Sequence, residues 1–216
     1  FALPLAAHKV PLGSYFTRTA KPNGPGELPP PVLPLDVFPA AGQFGTRWSG
    51  YGGNIKTIAE TASAAGFINA AIYATNDGVL RAAPLIARYD DSSFDGARSG
   101  YYESLGLAMY RLARGMPGIS LALAPRPFGG EATAPMAEAL ILGNGETSMR
   151  IPIDGLGRML VPFRGRGGPQ AGSFRYVPAA DILHGNLAPG ELEGKIVVVG
   201  TTAPGLQDLR ATPVNV

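Results

Sequence analysis

The sequence predicts an α/β domain: a mixed sheet with flanking helices and Gly/Pro-rich hairpins. Three observations lead there. An apolar stripe at helical spacing runs through Tyr102, Leu105, Ala108, Met109 and Leu112. Short apolar runs bounded by glycine, such as the Ile-Val-Val-Val of 196–199, are too brief for typical helices and suit strands. Asp-Gly pairs at Asp77-Gly78 and Asp154-Gly155 punctuate apolar segments as tight turns do.

Nine of the 21 prolines precede residue 40, and Pro29-Pro30-Pro31 favours extended polyproline backbone over helix or central strand. Residues 1–53 therefore read as an irregular segment of the same domain as an α/β core over 54–216. Asn54 fits the cap of a helix over 55–65, where Ile55, Ile58, Ala59 and Ala62 recur at three and four and Gly66 provides a stop. Residues 67–73 read as a strand, joined through Asn76-Asp77-Gly78 to a second hairpin arm over 79–89. Pro84 removes a backbone donor from that arm, which belongs at an edge or a bulge.

The stripe through Tyr102 and Leu112 predicts a helix over 101–114, ended by Gly115. A short strand at 119–124 follows, then a second hairpin over 148–164 whose arms flank Asp154-Gly155-Leu156-Gly157. Pro178 opens a short helix through Leu183, stopped by Gly185. The run 195–200 reads as a buried, parallel strand.

Composition excludes several classes of function. With 45% hydrophobic and 16% charged residues, the chain is neither a disordered polyelectrolyte nor a coiled coil. Lys+Arg 18 against Asp+Glu 16 leaves a net charge of +2, too even for nucleic-acid binding. Without cysteine there are no disulfides, thiolate metal sites or Cys nucleophiles, and the two histidines, His8 and His184, stand at opposite ends. No cofactor and no metal are expected. No run reaches the roughly 18 apolar residues of a membrane span. The chain, opening at Phe1 without Met, reads as a soluble piece of something longer.

The individual chemical signals have plain structural readings. Gly190 to Lys195 lacks both the spacing and the Ser/Thr of a phosphate loop and reads as a turn feeding a strand. Asp77 and Asp154 each precede a glycine, where a short carboxylate makes turns. His184 sits where a cation complements a helix C-terminus. The arginines Arg158, Arg164 and Arg166 form a basic stretch suited to an anion or lipid headgroups. If 196–199 is a parallel strand, the loop leaving its carboxyl end carries Thr201, Thr202, Asp208 and Arg210, the candidate ligand-facing residues. No nucleophile–base pair emerges, so no catalytic residue is assigned.

Several segments in order carry a resemblance: Gly66-Phe67-Ile68-Asn69; the stretch from Asn76-Asp77-Gly78 to Pro84-Leu85; the helix at 101–114; Ile151-Pro152-Ile153-Asp154; the stretch from Gly157 to Gly165; Phe174 to Leu183; Leu192 to Ala203; then Asp208 and Thr212-Pro213. Taken together, about residues 66–213 resemble the type-two CHASE sensory domain. The resemblance implies a non-catalytic, extracytoplasmic (periplasmic) input domain of a bacterial membrane receptor. It also implies flanking transmembrane helices, a homodimer, an unidentified small-molecule or environmental ligand, and a cytoplasmic adenylate or guanylate cyclase or a protein kinase as output. The competing reading is a stand-alone small-molecule binding or hydrolytic α/β domain.

Overall fold

A computed structural model describes residues 7–19, 26–37, 44–69, 77–91, 98–124, 136–166, 172–200 and 211–214. The chain divides into two compact units, one of Phe1–Tyr73 with Ala82–Leu160, the other of Ala74–Arg81 with Val161–Val216.

The first unit is a mixed α/β assembly, as the sequence predicts. Strands β1 (Pro11–Thr17), β3 (Gly50–Gly52) and β4 (Ala64–Phe67) form a sheet in the order β3-β1-β4, with β1 antiparallel to β3 and parallel to β4. A second sheet sets β6 (Ile86–Tyr89) between β2 (Thr46–Trp48), parallel to it, and β7 (Gly100–Glu103), antiparallel. Strands β8 (Ile119–Ala124), β9 (Met136–Leu142) and β10 (Met149–Pro152) make an antiparallel sheet with β9 central, and β5 (Ala82–Pro84) pairs with β11 (Arg158–Leu160). Helix α1 (Lys56–Ala59) is one turn, and α2 (Leu105–Ala113) is the longest helix among the described residues.

Alternation along β6 and β7 explains why two cores form. Successive side chains leave a strand on opposite faces. Ile86 and Tyr101 join Leu33, Phe44, Leu107, Leu140 and Leu142 on one face. Ala87, Tyr89 and Tyr102 meet Phe16, Trp48, Tyr51 and Phe67 on the other. Phe16 is the hub of this aromatic core, with ring centroids 5.4 Å from Tyr102, 5.7 Å from Tyr89, 5.8 Å from Phe67 and 6.3 Å from Trp48.

Glu103 ends β7 on the first face and is buried, as is Arg111 of α2. Arg111 Nη1 donates to Glu103 Oε1 at 2.5 Å, and its Nε donates to the Pro117 carbonyl at 2.8 Å. Glu103 Oε2 is buried and has no hydrogen-bond partner among the described residues. Burial pushes the Glu103 carboxyl above the usual carboxylate range, and Arg111 offsets that only in part.

Several expectations need correction. The N-terminal segment read as irregular supplies β1, β2 and β3, because Phe16, Trp48 and Tyr51 are strand formers with core to fill. The helix expected over 55–65 stops after Ala59. Asn54 does not cap it; its Nδ2 donates to the Gly13 carbonyl at 2.9 Å, and Gly66 lies in β4. A Cβ on Gly66 would stand 2.5 Å from the Leu105 nitrogen, so its role is close passage beneath the start of α2. The helix expected from 101 begins at Leu105, with Ser104 as its N-cap and Tyr101–Glu103 in β7. Its stop is as expected: Gly115 takes φ 81°.

Among the described residues, neither predicted hairpin pairs its two arms with each other. Residues 68–69 lie beyond β4, and Ala70 to Tyr73 with Asn76 lie outside the described residues. The arm through Pro84 splits in two: proline offers no N–H, the Leu85 N–H donates to the Gly157 carbonyl at 2.8 Å, and β5 and β6 enter different sheets. Pro84 does lie on an edge, in a two-stranded sheet. The second turn forms, with Gly157 N–H donating to the Asp154 carbonyl at 2.9 Å, yet β10 pairs with β9 and β11 with β5.

In the second unit, α3 (Ala179–Leu183) forms where Pro178 predicts it, and Val79 bridges Ala211 in parallel fashion. The run 196–199 is not the buried strand expected: it has no regular structure, and Val199 is 93% exposed. Branched residues favour an extended backbone, but a strand exists only where a neighbour supplies its hydrogen bonds.

Candidate functional site

A groove of about 300 Å³ opens on the first unit. Leu12 and Ala65, direct partners in the β1–β4 ladder, contribute apolar surface, joined by Ala59 and Ala62 from α1 and the turn after it. The other wall is a strap of Glu27, Leu28, Pro29 and Pro30. Two prolines stiffen the strap, and its start is tied down at two points. The Glu27 N–H donates to the Asn54 carbonyl at 2.7 Å, and Arg98 Nη2 donates to Glu27 Oε2 at 3.1 Å. Arg98 in turn donates to the Tyr51 hydroxyl and lies 5.7 Å from the Tyr51 ring centroid.

Glycine makes the strap's approach possible. A Cβ on Gly53 would fall 2.2 Å from the Glu27 carbonyl oxygen, and Gly26, at φ 89°, would bring one within 2.6 Å of the Asn54 oxygen. The rim is charged: Lys56 Nζ and Glu60 Oε1 stand 3.8 Å apart, both well exposed. Such a groove can bind a small amphiphilic molecule, and none of its side chains is placed as a nucleophile with a base.

Of the residues singled out from sequence, Thr201, Thr202, Asp208 and Arg210 lie outside the described residues. Arg158, in the first unit, is held by Asp154: Arg158 Nε donates to Asp154 Oδ2 at 2.7 Å, and Asp154 Oδ1 accepts from the N–H of Leu156 and of Arg158. Arg164 and Arg166, in the second unit, are exposed, with Arg164 5.9 Å from the Phe174 ring centroid. Asp77 is a turn carboxylate as expected, accepting from the Val79 N–H at 3.0 Å and from Arg81. Residues Gly190 to Lys195 form turns, with Lys195 Nζ donating to the Glu191 carbonyl at 2.6 Å.

Glu27, Lys56 and Glu60 escaped the sequence reading. The sequence signal for their groove is Gly52-Gly53-Asn54, since adjacent glycines mark a close approach of backbones.

A family model described as the CHASE2 domain matches residues 15–215 of this chain. The chain belongs to the CHASE2 family. That match takes in both cores, the second unit and every groove residue but Leu12. No curated protein and no solved structure matches the chain. CHASE2 domains are extracellular sensory domains of receptors and are not catalytic. Among the described residues of this CHASE2 domain, no helix is long and apolar enough to cross a membrane, and no group of three or more His, Asp or Glu side chains could hold a metal.

Proposed function

We propose that this CHASE2 domain is the periplasmic input module of a bacterial transmembrane receptor. It is flanked by membrane helices, works as a homodimer and controls a cytoplasmic adenylate or guanylate cyclase or a protein kinase. The observation that carries the reading is the family match over residues 15–215, and the groove on the first unit supports it by offering a preformed place for a small ligand. A ligand changes receptor output only through unequal affinity for two arrangements of the domain or its dimer. The loop of Thr201, Thr202, Asp208 and Arg210 lies outside the described residues and adds no support to this reading.

The chain has no cysteine, so cysteines introduced into it meet no native thiol within this domain. Single cysteines placed in turn at exposed positions of the full-length receptor should, on oxidation, lock cyclic-nucleotide synthesis or phosphorylation high or low at some positions. Output unaltered at every crosslinked position would make the domain a passive spacer.

A further inference from the structure

We propose that the groove on the first unit takes an α-amino acid with an apolar side chain, a proposal that rests on the sensory reading above. About 300 Å³ suits a small molecule, and Leu12, Leu28, Ala62 and Ala65 offer it an apolar lining. The head group is decided by charge. Glu27 is held by Arg98, which leaves Lys56 and Glu60 as the lining charges able to meet a ligand. These two pair with each other across 3.8 Å, exposed to water, and such a pair is weak.

A guest with one charge engages one member of that pair and leaves the other to water. A zwitterion satisfies both: its carboxylate meets Lys56, its ammonium meets Glu60, and no charge is left without a partner. The strap is already seated by its Asn54 and Arg98 contacts, so little ordering accompanies binding.

Isothermal titration of the 216-residue chain with L-leucine tests this. The comparison probes are 3-methylbutylamine, which lacks the carboxylate, and 4-methylpentanoate, which lacks the amine. Leucine should bind, and each singly charged probe should bind at least about tenfold more weakly. Lys56→Met and Glu60→Gln should each weaken leucine about tenfold while leaving unfolding followed by Trp48 fluorescence unchanged, since both side chains are exposed. Absence of heat with leucine, isoleucine and phenylalanine at millimolar concentration overturns the proposal. So does equal binding of either singly charged probe, or full binding by both variants. A receptor whose output responds to crosslinks but whose domain ignores amino acids retains the sensory reading and loses this one. Leucine binding without any crosslink response does the reverse.

Discussion

Replacing Arg111 by methionine should destabilise the first unit more than any surface change. Glu103 is 5% exposed and Arg111 8%, so the substitution leaves a carboxylate in the core with no counter-charge. It also leaves the Pro117 carbonyl without the donor at 2.8 Å. Breaking such a buried pair from one side costs about 3–5 kcal/mol. For a chain of this size that is a fall in Tm of roughly 6–20 °C. The pH dependence has a definite sign. In the folded protein burial raises the Glu103 pKa from 4.5, so the native state binds the proton more tightly than the unfolded state does. Stability from this group is therefore present below about pH 4.5 and is lost as pH rises through the folded value. Removing Arg111 removes the contact that holds this pKa down, so the cost of the variant should be greatest at pH 7.5 and shrink toward pH 5. Trp48, the chain's one tryptophan, is buried in the aromatic core of the same unit, so its fluorescence during guanidinium unfolding reads the effect. The double variant Glu103→Leu/Arg111→Met should recover most of the loss, since an apolar pair of similar volume needs no charge desolvated. A single-variant cost below about 1 kcal/mol at pH 7.5, or a double variant as unstable as the single, would refute the reasoning.

Three further outcomes are expected. Phe16→Ala should cost about 3–5 kcal/mol in the same unfolding experiment, because four aromatic rings converge on that side chain. Gly53→Ala should cost about 1–3 kcal/mol and raise proteolysis within the strap, because the new methyl would sit 2.2 Å from the Glu27 carbonyl oxygen and must push the strap off. Burial raises the phenols of Tyr89, Tyr101 and Tyr102 above their usual 10.0, so the stability they support is present below about pH 10 and lost as pH climbs past it. A spectrophotometric titration should then show part of the tyrosine absorbance appearing only together with alkaline unfolding.

The sequence alone settled what depends on neighbours a few residues away. The turns at Asp77 and Asp154 formed because a short carboxylate reaches N–H groups two to four residues on. The stop at Gly115, the strand β8 and the short helix after Pro178 followed from equally local chemistry, and the order of motifs along 66–213 pointed to the family. Partner choice was another matter. Nothing local tells β5 to pair with β11 rather than with a strand before Asp77; that was decided by Pro84 lacking a donor and by the Gly157 carbonyl waiting for Leu85. Tyr101 and Tyr102 satisfy a helical stripe as well as a strand. Tertiary burial on both faces of β6 and β7 chose the strand, because only alternation delivers adjacent tyrosines to two different cores. The groove was equally hidden, since Glu27, Lys56 and Leu12 meet only after β1, α1 and the strap are packed. Periodicity and turn chemistry act over one turn or one pleat, whereas strand partners and clefts depend on which distant surfaces can be buried together.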